Sequence, residues 1–67
     1  MRVSQITKVM DKDEWIEIND GFGEGQLYRG PVRGIKKDAP FNKCHVQALA
    51  AIHDEIFVLV NGSEVLS

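Results

Sequence analysis

Cysteine occurs once in these 67 residues, proline twice, and tryptophan and tyrosine once each. With Cys44 alone there is no intramolecular disulfide, so a domain this small must be held by close packing, a metal or a second chain. A lone thiol fits a reducing compartment, and "MRVSQITKVM" has no continuous apolar leader, so the expected location is cytoplasmic. The longest strongly apolar run is "IFVLV", far short of the roughly 20 residues that span a bilayer. No membrane partner is expected. Also missing are G-x-x-x-x-G-K, C-x-x-C and H-x-x-x-H, so no phosphate loop or zinc site is announced and no cofactor is expected. Linkers, repeats and low-complexity tracts are absent too, and residues 1–67 read as a single domain.

What is present is unevenly distributed charge. The net charge is only −2. Yet Asp11, Asp13, Glu14, Glu17, Asp20 and Glu24 stand against Lys12 alone, while Arg29, Arg33, Lys36, Lys37 and Lys43 stand against Asp38. Separation of this kind concerns partners and steering more than folding.

Periodicity supplies the elements. In "VSQITKVM", Val3, Ile6, Val9 and Met10 have helical spacing, with Ser4 or its predecessor as the cap. The acidic turn "DKDE" ends this short helix. "WIEIND" alternates, with Ile16 and Ile18 on one side and Trp15, Glu17 and Asn19 on the other, which is a half-buried strand. "QLYRGPVRGI" reads as a second strand, with Arg29 and Arg33 on one face and Gly30-Pro31 marking a bulge or an edge. "KKDAPFN" is a loop. "HVQALAAI" fits either a helix or a strand, and the strand is preferred because "IFVLV" would close a hairpin around "HDE". The expected fold is α+β: a short N-terminal helix packed on a small antiparallel sheet of about four strands.

The succession "VSQITKVMD", acidic turn, "WIEI", "LYRGPV" and "IFVLV" resembles a group of very small proteins encoded by phages and integrated elements of Gram-positive bacteria. The resemblance covers residues 3–60 through the hydrophobic pattern and an L-Y-x-G-x-V core. It supports the strand reading of residues 45–52. Most of the group has no assigned role, but small phage proteins of this kind include inhibitors of host defence, anti-CRISPR proteins among them. The resemblance therefore implies a phage protein acting in the host cytoplasm on a defence protein such as a CRISPR nuclease. Its pattern has no catalytic signature, so it assigns no functional residue.

Each candidate site has a plain structural reading beside the functional one. "DGFGEGQLYRG" is glycine-rich, but it lies between strands and carries Asp20 and Glu24, which repel phosphate. It reads as a hairpin loop. Phe22 within it either folds back on the sheet or reaches a partner. An EF-hand beginning at Asp11 fails at its fifth, sixth and twelfth places, Trp15, Ile16 and Phe22. An Asp11/Asp13 pair holding Mg²⁺ stays open as the enzymatic alternative. Cys44, His45 and His53 have no metal-ligand spacing: Cys44 reads as structural, His45 as a strand end and His53 as a turn. "NGS" at 61–63 reads as an Asn-Gly turn.

The apolar surplus is more informative. One short helix covers one sheet face, which leaves Phe57 and Leu59, with Leu27, Leu49 and Trp15, for a second face. Large exposed apolar patches mark interfaces, so Phe57, Leu59, Leu49 and Leu27 are the expected homodimer interface. The alternative is that the 36–43 loop and the C-terminal tail cover that face. Arg29 and Arg33 would stand about 13 Å apart at about 3.3 Å per residue, beginning a basic stripe that continues through Lys36, Lys37 and Lys43. The expected function is a non-enzymatic binding protein that occupies a host protein through Arg29, Arg33, Lys36, Lys37, Trp15 and Phe22. The alternative is a nucleic-acid module that uses the same stripe, with Tyr28 and Trp15 stacking on bases.

Overall fold

The structure is a computed structural model and describes residues 1–21 and 25–66. Helix α1 (Val3–Val9) buries Val3 and Ile6. At two turns it is held by that burial and not by propensity. The Arg2 amide donates to Gln5 Oε1 at 2.8 Å, so Gln5, not Ser4, guards the N-terminus. Beyond Met10 the acidic turn is fixed by Asp11, whose Oδ1 accepts from the Asp13 amide at 3.0 Å.

Four strands follow: β1 (Trp15–Asp20), β2 (Gln26–Pro31), β3 (Val46–Ile52) and β4 (Glu55–Val60). They form one sheet in the order β2-β1-β4-β3. The expected α+β class holds, and residues 46–52 are strand. The sheet is mixed, however, because β1 and β4 run parallel between two antiparallel pairs. Its cause is the crossover. Residues 32–45 carry the chain from the β2 edge to the β3 edge, so the inner strands of the two hairpins point the same way. Their register places Ile16 beside Ile56 and Ile18 beside Val58, a β-branched seam suited to a covered parallel pair.

The crossover is not wholly loop. Val32–Gly34 and Pro40–Lys43 are tight helical turns, and a third spans Gly62–Leu66. Asn61 Oδ1 accepts from the Ser63 amide at 3.1 Å, so "NGS" is a turn that opens the last of these. His53, with φ 48°, stands in the turn joining β3 to β4, and His45 bridges Arg2 just before β3.

The core is one-sided. Val3, Ile6, Val32 and Cys44 are buried, as are Ile16, Ile18, Val58 and Val60 on the sheet. Phe41 and Val65 pack against the same cluster. The 36–43 loop and the C-terminal tail therefore thicken the layer α1 begins. Among the described residues, Phe41 of the loop and Val65 of the tail pack on the helix side and not on the opposite face.

Candidate interaction surface

Strand register decides which side chains share the open face. Trp15 and Glu17 of β1 face Pro31 and Arg29 of β2, and on the other side Glu55 and Phe57 of β4. Phe57 and Leu59 in turn face Ala50 and Ala48 of β3, with Ile52 beside Glu55. Among the described residues no helix or loop covers this surface. Trp15 is 46% exposed and Ile52 48%.

The face has two halves. Towards β2 it is polar and internally paired: the Arg29 guanidinium lies 5.9 Å from the Trp15 ring centroid and donates to Glu55 Oε1 at 3.2 Å. Gln26 donates to Glu17 beside them. Towards β3 the face is apolar and small, with Phe57 and Leu59 among alanines. Between the halves Asn19 has a buried Nδ2 without an acceptor among the described residues.

The two sheet edges differ just as sharply. β2 carries Arg29 and Pro31 and is irregular opposite Ile18/Asn19. Charge, proline and bulges are the usual devices that stop an edge from pairing further. β3, "VQALAAI", has no charge, and every residue after Val46 is exposed. It is an unprotected pairing edge.

The expected oligomer residues divide accordingly. Phe57 and Leu59 do share the open face. Leu27 does not: it is the extra residue of the β2 irregularity and packs against the core cluster. Nor does Leu49, which is opposite Val58 and so on the helix side, 56% exposed at the edge beyond the covering layer.

The expected basic stripe is broken up. Strand β2 ends at Pro31, so Arg33 lies in the following turn, where it pairs with Asp13 at 2.7 Å. Arg29 and Arg33 therefore do not share a strand face. Lys36 and Lys37 lie on the helix side, with Lys8 and Lys12 around a depression of about 320 Å³. Tyr28 faces that side too, with Oη donating to the Pro31 carbonyl at 2.6 Å and its ring 5.9 Å from that of Phe41. It shares no stacking platform with Trp15. Phe22 and Gly23 lie outside the described residues; the flanking β1–β2 pairing is that of a hairpin.

The remaining titratable candidates are engaged or isolated. Asp11 and Asp13 are committed to the turn and to Arg33, and no group of three metal-ligating side chains gathers among the described residues. Cys44 is fully buried, and burial first, then the charge of Glu64, pushes its thiol above the usual range. His45 Nδ1 lies 2.9 Å from Glu64 Oε2, and that hydrogen bond holds the Glu64 carboxyl below its ordinary value.

Sequence reasoning missed Ala48, Ala50 and Ile52, although the uncharged run "VQALAAI" was the available signal. It also missed that Lys8 and Lys12 would join Lys36 and Lys37. No family model matches the sequence, and no curated protein or solved structure matches it either.

Proposed function

We propose that this is a small non-enzymatic binding protein that works as a homodimer, its second copy pairing along β3 and covering the apolar half of the open face. The observation that carries the reading is the contrast between a blunted β2 edge and a bare, uncharged β3 edge. Antiparallel pairing of β3 with its own two-fold copy brings like against like without opposing charges, as an isologous interface requires. Alanines at 48 and 50 leave room for the approach. The polar half, with Trp15 and Arg29, stays outside that contact. Tryptophan and arginine are the residues that most often anchor a protein interface. In this reading they engage a host protein, and the resemblance to small phage proteins directs the choice to a defence protein such as a CRISPR nuclease.

Light scattering behind size exclusion should give twice the chain mass at micromolar concentration. Ala50→Lys should give a monomer with an unchanged circular dichroism spectrum. A wild type that stays monomeric at high micromolar concentration overturns the dimer. In CRISPR-immune cells, expression of the chain should restore plaque formation, and Trp15→Ala with Arg29→Ala should abolish the effect while leaving the dimer intact. Unchanged immunity with a well-expressed chain overturns the CRISPR target.

A further inference from the structure

Two depressions adjoin on the helix side of the sheet, away from the surface assigned above. The first, about 520 Å³, is walled mainly by Tyr28, Phe41, Pro40, Ala39 and Ile35. Its aromatic rings lie 5.9 Å apart at an interplanar angle of 35°. The second is the depression of about 320 Å³ ringed by Lys8, Lys12, Lys36 and Lys37, with the hydroxyls of Ser4 and Thr7 beside them. Ile35 and Lys36 belong to both walls, so the two are compartments of one groove.

The lysine compartment is unusual for a chain of net charge −2. No carboxylate lines it, and among the described residues none of its four lysines makes an ion pair, whereas Arg29 and Arg33 both do. Three separate segments bring these like charges together, and local hydrogen bonds hold two of them. The Arg33 amide donates to the Lys12 carbonyl at 3.0 Å. Asn42 Nδ2 donates to the carbonyls of Lys36 and Lys37 at 2.9 and 3.2 Å. That leaves Asn42 Oδ1, in the same wall, buried and without a donor among the described residues. Four lysines around one depression that no carboxylate among the described residues lines favour an anion there, and lysine is a common point-charge partner of phosphate.

We propose that this groove binds a nucleoside phosphate, with its ring against Tyr28 and Phe41 and its phosphates among Lys8, Lys12, Lys36 and Lys37. Asp38 fixes the orientation. It lines only the apolar compartment, where it repels phosphate and can accept from a base amino group or a ribose hydroxyl. A free inorganic anion would leave the aromatic compartment unused. A nucleic-acid strand would need a continuous basic track, and here Arg29 and Arg33 are paired with Glu55 and Asp13 outside the depression. The inference goes beyond the binding function above and does not depend on it.

The test is calorimetric titration with ATP, adenosine, tripolyphosphate and a single-stranded oligonucleotide at about 0.15 M salt. ATP should bind, and adenosine and tripolyphosphate should each bind at least about tenfold more weakly. Lys36→Gln with Lys37→Gln are exposed changes that leave the fold intact, and they should weaken ATP by at least about tenfold as well. Phe41→Leu should weaken ATP but not tripolyphosphate. Absence of ATP binding at millimolar concentration, or affinity unchanged in the double lysine variant, overturns the proposal. Equal affinity for tripolyphosphate and ATP reduces the groove to an anion site and overturns the nucleoside assignment. Tighter, steeply salt-dependent binding of the oligonucleotide replaces it with a nucleic-acid surface.

Discussion

Replacing Gly34 with alanine isolates one close approach, between the turn after β2 and the Tyr28 hydroxyl. A Cβ on Gly34 would overlap Tyr28 Oη, while the next atom, Cζ, stands at an ordinary 3.5 Å. The backbone itself is no obstacle, because Gly34 lies outside the positive-φ region. In the wild-type background the new methyl must displace the hydroxyl from the Pro31 carbonyl, to which it donates at 2.6 Å. Loss of that bond costs about 1 kcal/mol, and pushing the ring costs a further ~1–3 kcal/mol. Against this, alanine restricts the unfolded chain and returns about 0.4–1 kcal/mol. The net expectation is destabilisation by roughly 1–3 kcal/mol. Tyr28→Phe alone should cost about 1 kcal/mol. With the oxygen gone, Gly34→Ala should become neutral or stabilising by up to about 1 kcal/mol. Urea denaturation followed by circular dichroism measures all four proteins, at one protein concentration, because the proposed dimer would make stability concentration-dependent. If Gly34→Ala costs the same with tyrosine and phenylalanine at position 28, the hydroxyl is not what the methyl meets and the reasoning fails.

Two further outcomes concern titratable groups. Because the His45 hydrogen bond depresses the folded-state pKa of Glu64 below 4.5, its contribution is present above the unfolded value and disappears as pH falls through the folded one. Urea midpoints of the wild type should therefore fall more steeply on acidification in that range than those of Glu64→Gln; parallel curves would remove the pair as a source of stability. Cys44, fully buried and with its thiol pushed up by burial, should react with Ellman's reagent only as fast as the chain opens. Immediate labelling in native buffer would contradict its place in the core.

The elements were legible wherever a local pattern sufficed. Val3 and Ile6 announced α1, and Ile16 and Ile18 announced a strand with one buried face. The parallel β1–β4 pair was not legible, because it follows from the path of residues 32–45, which no periodicity encodes. Face assignment failed for the same kind of reason at Leu27 and Leu49. A one-residue shift in register moves a side chain to the other face. β2 is irregular opposite Ile18/Asn19, and β3 between Val46 and Ala48. Parity read along either strand therefore does not carry across these irregularities.

Charge was misread through folding of the opposite kind, which joins what the sequence separates. A sum over residues 29–43 makes a basic stripe, but Arg29 finds Glu55, 26 positions away, and Arg33 finds Asp13. Both arginines are thereby taken out of the stripe by acids that lie far from it in the chain. Lys36 and Lys37 instead line a depression with Lys8, which lies outside that sum, and Lys12, which is counted with the acidic segment. A counter-charge near in sequence screens a lysine only if folding brings the two side chains together, since the interaction falls with distance through solvent. Asp13 is committed to Arg33, and Asp11 supports the turn through the Asp13 amide. Lys12 therefore lines a depression with Lys8, Lys36 and Lys37 that no carboxylate among the described residues enters, and an apparently acidic segment contributes to a cationic concavity.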